Sequence, residues 1–429
     1  MHVGEGQAKR PNILLLYADQ WRGDALGCAG DPVVQTPALD RLAASGLHLP
    51  STFTVDPVCT PSRAALLTGR YPHVTGVTHN DLRLPENEVS FAQVFAAAGY
   101  RTGYIGKWHL DGEEKPGFVP PGPRRHGFGY WAAFNRGHAY HAPIYYRDTA
   151  EPIATDAYEP DLQTDLACAF LEEADPRPFC LVVAWGPPHT PLQPPARTAA
   201  RYRAQDMPVP PGVPPAEAER ARSERARYYG LITSLDENVD RLLQTLDRHG
   251  ASGNTVVCFT ADHGDLLGEH GLYRKGRPEE PSIRVPLLLR WPGTIPTGVR
   301  ADLAVASIDL CPTLLGLAGL SAPAGVQGRD LSACLRGVTA APTDPVYIEG
   351  RLGAPDEWRA LRTAQHLIAV GTASGEITHL FDLEQDPYEL ENLACDPNAA
   401  ALRRALWEQL AAAATRTSDQ RLRRPPGLG

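Results

Sequence analysis

Short, unbroken apolar runs alternate along this chain with stretches of helical periodicity, and several of the runs end in the same way. Residues 13–17 read as a buried strand that closes in Asp19 and Gln20. Residues 179–185 form a second such run and lead to His189, set between prolines. Residues 255–260 form a third and end in Ala261-Asp262-His263-Gly264-Asp265. A short strand at 104–106 carries Lys107 and His109 at its end, and strict alternation would place those two side chains on one face. A further strand is predicted over 285–291.

Helices are predicted between these runs. Residues 37–46 and 91–98 each stop at a glycine, Gly46 and Gly99. Residues 161–174 and 307–320 also read as helices. A long helix starts near Pro215, with Tyr229, Ile232, Leu235, Val239, Leu242, Leu243 and Leu246 recurring on one face, a stripe that reads as core packing. Strands alternating with helices predict an α/β fold, in which ligands gather beyond the carboxyl ends of the strands.

After about residue 340 the pattern changes to short strands at 346–349, 360–363, 366–370 and 378–382, then a helix over 398–415 and a polar tail over 420–429. The division predicted is a catalytic domain of residues 1–340 and a C-terminal subdomain of residues 341–429. Between 110 and 160 the periodicity dissolves into Pro, Gly, His and aromatic residues, read as loops over the site. His126, His138 and His141 lie there as secondary candidates. With the proline-rich stretch 190–215, these loops are expected to select the substrate.

Composition narrows the function. The 41 basic and 50 acidic residues give a net charge of −9, against a nucleic-acid footprint. No run approaches a membrane span, and residues 1–10 carry no apolar leader core. The eight cysteines show no CxxC pair or zinc spacing. The expectation is a soluble, cytoplasmic protein.

The densest chemistry lies at Cys59-Thr60-Pro61-Ser62-Arg63. Proline is tolerated in a first helical turn, so Cys59 falls at a helix N-terminus with Arg63 one turn on. Taken alone, that describes a buried structural cysteine beside an arginine. The pentapeptide, however, resembles the CxPxR signature of the sulfatases, whose cysteine is oxidised to formylglycine. Gly99-Tyr100-Arg101-Thr102-Gly103-Tyr104-Ile105-Gly106-Lys107-Trp108-His109 resembles the second signature of that family. The likeness runs from about residue 11 to 393.

The resemblance implies the alkaline-phosphatase-like fold, a large mixed sheet flanked by helices, with a small C-terminal antiparallel sheet plus helix. The turn with Phe381-Asp382-Leu383 and Glu391-Asn392-Leu393 is taken as structural. The resemblance also implies one divalent metal, held by Asp19, Gln20, Asp262, His263 and the residue-59 formylglycine. The Gln20/His263 combination is similar to choline sulfatases and phosphonate monoester hydrolases rather than arylsulfatases. Calcium is the first expectation, with magnesium or manganese as alternatives.

In the implied mechanism one hydroxyl of the formylglycine hydrate attacks sulfur, and the second later expels sulfate. Arg63 and Lys107 would hold formylglycine and neutralise sulfate oxygens. His109 would be the base of the elimination, and His189 and Lys275 would bind sulfate and protonate the leaving alkoxide. A small-molecule or saccharide sulfate ester and a formylglycine-generating enzyme are the implied partners. The alternatives are a phosphonate or phosphodiester hydrolase with the same machinery, and a domain that only binds sulfated ligands.

Overall fold

A computed structural model describes residues 10–340 and 342–425. Its centre is an eight-stranded mixed sheet. In chain order the strands are β1 (Asn12–Asp19), β2 (Leu47–His48), β3 (Arg101–Lys107), β4 (Tyr130–Phe134), β5 (Phe179–Pro188), β6 (Thr255–Ala261), β7 (Leu287–Arg290) and β8 (Val299–Arg300). They lie in the order β8-β2-β7-β6-β1-β5-β3-β4. The block β6-β1-β5-β3-β4 is parallel, and β7 runs antiparallel beside β6.

The apolar run of β1 is continuous because both faces of the sheet are covered. Ile13, Leu15 and Tyr17 enter one core and Leu14, Leu16 and Ala18 the other, following the two-residue alternation of a strand. The first core is closed by α2 (Cys59–Thr68), α3 (Phe91–Ala97) and α6 (Leu310–Leu317). The second is closed by α1 (Pro37–Ala44), α4 (Glu159–Glu172) and the 31-residue α5 (Ala218–Arg248). Every residue of the predicted α5 stripe is buried there.

Beyond residue 342 a second sheet has the order β9 (Val346–Gly350), β10 (Trp358–Arg362), β11 (His366–Gly371), β12 (Ile377–Asp382), all antiparallel. Helix α7 (Ala400–Arg416) packs on it. This sheet shares its core with Phe53, Val55 and Ala65, the last a residue of α2, so the C-terminal layer buttresses the helix that carries Cys59. In the turn after β12, Asp382 and Asp386 accept backbone N–H groups of Glu384 and Glu391, a structural use of both carboxylates. The predicted polar tail is described to residue 425, and 426–429 lie outside the described residues.

Two expectations need correction. Residues 130–134 lie inside the stretch read as loops, yet they form the edge strand β4, paired in parallel with β3. A five-residue apolar run with glycine on its N-terminal side is a legitimate strand, and the surrounding Pro and His residues masked it. Strand alternation also does not relate Lys107 to His109. β3 stops at Lys107, and His109 sits in left-handed backbone at φ +57°.

Candidate active site

Four chain segments that are remote in sequence end at the same edge of the parallel block. β1 delivers Asp19, β3 delivers Lys107, β5 runs into His189, and β6 runs into Asp262 and His263. Helix α2 points its N-terminus at this edge with Cys59 as the first helical residue, and Val58 precedes it in extended backbone.

Each position of the pentapeptide has a physical task. Cys59 is 1% exposed, and its Sγ lies 3.3 Å from His263 Nε2 and 2.8 Å from Lys275 Nζ. The Thr60 hydroxyl donates to the carbonyl of His109 at 2.9 Å. Pro61 occupies the first turn, where a missing N–H is harmless. The Ser62 hydroxyl donates to the carbonyl of Asp262 at 2.6 Å. The Arg63 guanidinium donates through Nε to Asp262 at 3.2 Å, through Nη2 to Asp19 at 3.2 Å, and through Nη1 to the carbonyl of Lys107 at 2.8 Å. The expectation that Arg63 neutralises sulfate oxygens is therefore revised. Its Nε and Nη2 clamp the two ligand carboxylates and its Nη1 is held by the Lys107 carbonyl, with Tyr17 stacked against it at 5.0 Å.

The cluster of Asp19, Cys59, Asp262 and His263 is wholly buried, and its donor atoms lie within 4.8 Å of one another. His263 Nδ1 faces the carbonyl of Gly264 at 2.9 Å, which puts a ring proton on Nδ1 and turns Nε2 towards Asp19 and Asp262, each at 3.6 Å. Gln20 adds a fifth donor. Its Nε2 donates to Asp265 at 2.6 Å, while its Oε1 is buried with no hydrogen-bond partner. A buried, unpartnered amide oxygen on the residue that follows Asp19 is what a hard cation would satisfy, so the residues fit a divalent ion. Gln20 also holds the uncommon φ of +67°, with its N–H anchored to Asp262 Oδ1 at 2.9 Å.

Around these carboxylates stand three cations. Lys107 Nζ contacts Asp19 at 2.5 Å, Arg63 bridges both carboxylates, and Lys275 reaches the sulfur. Burial alone would push Asp19 up, but Lys107, His189, Arg63 and Lys275 hold its carboxyl well below the usual range. Burial and Asp19 push the Cys59 thiol up, and Lys107, Lys275 and His263 outweigh them, bringing it down. Burial would discharge Lys275, but Cys59, Asp19 and Asp262 raise it, so its ammonium persists.

The histidines divide by environment. His109 is 4% exposed with neither ring nitrogen bonded, and burial together with Lys107 and Arg63 holds it well below the ordinary range, as a neutral base. His189 is also held down, by burial and Lys275, and its Nδ1–H is taken by the Thr190 carbonyl at 2.6 Å. In this state Lys275 carries its proton, whereas His189 is neutral.

His138, only a secondary candidate by sequence, lies in the site. Its ring stacks on His189 at 3.8 Å with an interplanar angle of 3°. Lys107 Nζ can only donate, so His138 Nε2 accepts from it at 3.3 Å and Nδ1–H donates to the Tyr140 hydroxyl at 3.2 Å. Tyr140 in turn donates to the His189 carbonyl at 2.6 Å. No spacing in the sequence marks this residue, because a loop with no period delivers it. His126 stacks on Trp108 and bonds the Glu88 carbonyl, and His141 packs on Tyr158 at the surface, so neither joins the site.

The comparisons agree with this geometry. Residues 11–320 match the Sulfatase family, and residues 268–416 match the N-sulphoglucosamine sulphohydrolase C-terminal family. The chain is 37% identical to an ulvan-active sulfatase of Formosa agariphila, with 95% of this chain and 81% of that protein covered. It is 33% identical to human arylsulfatase A, over 91% of this chain and 85% of that one. A solved Bacteroides fragilis structure assigned to the sulfatases superposes with a TM-score of 0.90 at 32% identity, covering 97% and 98% of the two chains. The phosphonate monoester hydrolase of Agrobacterium radiobacter shares the fold, with a TM-score of 0.80 at 24% identity over 95% and 96% of the chains. With the family matched over most of its length, this chain belongs to the sulfatases, hydrolases of sulfate esters built on the alkaline-phosphatase-like fold.

Proposed function

We propose that the protein hydrolyses a saccharide sulfate ester, with residue 59 acting as formylglycine and Ca2+ in the cluster of Asp19, Gln20, Asp262 and His263. The observation that carries this reading is the sulfur of Cys59, enclosed by His263 Nε2 at 3.3 Å and Lys275 Nζ at 2.8 Å. A thiol has no second hydroxyl, whereas a hydrated formylglycine supplies both the oxygen that attacks sulfur and the one that later releases sulfate. A bound divalent cation would supply Lewis acidity to the sulfate oxygens.

The chain's own residues do the rest. Lys107 and Lys275 place positive charge where the sulfuryl oxygens gain negative charge. Lys275 holds the proton for the leaving alkoxide, and neutral His109 is available to accept one during release of sulfate. Arg63 keeps Asp19 and Asp262 oriented. Oxygen donors from two carboxylates and an amide favour calcium, and the His263 nitrogen keeps manganese as the nearest competitor. Because Cys59 is buried in the folded chain, a formylglycine-generating enzyme would act on it before the fold closes. The other seven cysteines are unpaired, which supports a reducing, cytoplasmic setting. No helix of the described residues is long and apolar enough to cross a membrane.

The saccharide reading draws on relatives named for ulvan and for N-acetylglucosamine-6-O-sulfate. Parallel kinetics on sulfated ulvan oligosaccharides, 4-nitrophenyl sulfate and phenyl phosphonate test it. The expected order is saccharide sulfate above aryl sulfate above phosphonate. Gln20 and His263 favour a second reading, a phosphonate or phosphodiester hydrolase, and a phosphonate preference of roughly a hundredfold or more, about 2.7 kcal/mol, would establish that one instead.

A further inference from the structure

The side chain of Gln20 can turn either end of its amide towards the metal cluster, because the oxygen and the NH2 group have nearly the same size and shape. Its backbone does not choose between them. The left-handed φ of +67° is held by Asp262 Oδ1, which takes the N–H at 2.9 Å, and by the Tyr228 hydroxyl, which donates to the carbonyl at 2.6 Å. The choice falls to Asp265, whose Oδ2 accepts from Gln20 Nε2 at 2.6 Å. A carboxylate only accepts, so it captures the NH2 end and leaves the buried Oε1 as the unpartnered atom.

The other oxygen of Asp265 faces the loop that carries Lys275. Oδ1 accepts the N–H of Leu267 at 2.9 Å and the N–H of Arg274 at 2.8 Å. Arg274 holds φ +76°, left-handed backbone that a non-glycine residue seldom adopts, and its carbonyl takes the N–H of Leu266 at 2.8 Å. These contacts pinch the loop shut one residue before Lys275, whose Nζ lies 2.8 Å from Cys59 Sγ. Asp265 is 0% exposed, each of its three hydrogen-bond partners is an N–H donor, and the Arg274 guanidinium lies 3.7 Å from Oδ2. An amide of the same shape would set its own NH2 group against a donor.

We propose that Asp265 is a positioning residue with two outputs. It sets the oxygen of Gln20, rather than the nitrogen, towards the cation, and it pins the Arg274 turn that aims Lys275 at residue 59. One buried carboxylate thereby ties the metal side of the site to the ammonium that faces the sulfur. The inference rests on the metal reading above.

The test reads metal binding apart from turnover. Full-length protein stripped by chelation is titrated with Ca2+ by calorimetry, as the parent, as Asp265→Asn, and as Asp265→Asn combined with Gln20→Glu. Asp265→Asn keeps an oxygen for Leu267 and Arg274 but turns an NH2 group on Gln20, whose amide must flip and present nitrogen to the cation. Affinity should fall about 10- to 100-fold. Adding Gln20→Glu matches acceptor to donor again and should recover most of the loss. Asp265→Ala also frees the loop, so its kcat on 4-nitrophenyl sulfate at saturating Ca2+ should fall about ten- to a hundredfold further than that of Asp265→Asn. If thermal melting shows Asp265→Ala to be unfolded, Asp265→Ser takes its place in the kinetics. Equal Ca2+ affinity in the parent and Asp265→Asn, a double variant no tighter than Asp265→Asn, or equal kcat in the two kinetic variants overturns the proposal. A parent that binds no Ca2+, Mg2+ or Mn2+ instead overturns the metal reading, and this inference with it.

Discussion

The ammonium of Lys275 lies 2.8 Å from the sulfur of Cys59, although 216 positions separate the two residues in the chain. This contact joins the loop after β6 to the N-terminus of α2, and it makes Lys275 the nearest cation to the reacting position. Lys275→Ala should therefore lower kcat/KM on a sulfate ester by about two to three orders of magnitude, as for loss of one preorganised stabiliser of developing charge. Steady-state kinetics read the loss. Mass spectrometry of the peptide containing residue 59 should still find the aldehyde in the variant, and an intact thiol in the unsubstituted enzyme would sink the catalytic reading.

The unpartnered Oε1 of Gln20 would offer a bound metal an oxygen. Gln20→Ala should leave the fold intact and weaken divalent-metal affinity about 10- to 100-fold, the range for loss of a group that supports a metal site. Activity titrated with free Ca2+ after chelation should shift to higher concentration with the same plateau. An unshifted curve would remove Gln20 from the ligand set.

His138 touches no metal ligand but fixes two groups that face the substrate, Lys107 by its Nε2 and His189 by stacking. As a positioning residue, His138→Ala should reduce kcat roughly tenfold to a hundredfold, with a smaller change in KM. His138→Gln, which can still accept from Lys107, should recover part of the loss. If both variants behave alike, the Lys107 contact is not the reason His138 matters.

His73 fastens the chain after α7 to the catalytic core. Its Nδ1 meets Glu349 at 2.6 Å and its Nε2 the Thr417 carbonyl at 3.0 Å, two acceptors that only an imidazolium can serve at once. Burial lowers its pKa, but Glu349, Thr417 and Asp419 outweigh that and raise it above 6.5. A folded-state pKa above the unfolded one means that the stabilisation is complete below about pH 6.5 and is lost as pH rises through the elevated value. Thermal unfolding of His73→Gln should accordingly differ most from the parent at pH 6, by about 1–2 kcal/mol, and converge with it by pH 9. A gap independent of pH would assign His73 a packing role only.

The sequence was most legible where chemistry is local. A proline in a first turn places Cys59 at a helix N-terminus, and apolar runs that end in Asp19-Gln20 and Asp262-His263 put polar ligands at strand ends. Gly106 of the second signature, by contrast, has its reason in the neighbouring strand β5. A Cβ at Gly106 would fall 2.1 Å from the Ala184 carbonyl, and Gly106 holds φ +105°. Less legible was β4, whose apolar run is short and set among loop residues.

By itself, then, the sequence determined the alternation of strands and helices, the family, and which short motifs carry reactive groups, because each of these depends on residues close together in the chain. Only the tertiary structure decided that Arg63 is taken up by the two carboxylates and the Lys107 carbonyl, and that His138 belongs to the site. Those outcomes depend on which distant groups compete for a buried donor, and that competition exists only once β1, β3, β5 and β6 bring their ends to one edge of the sheet.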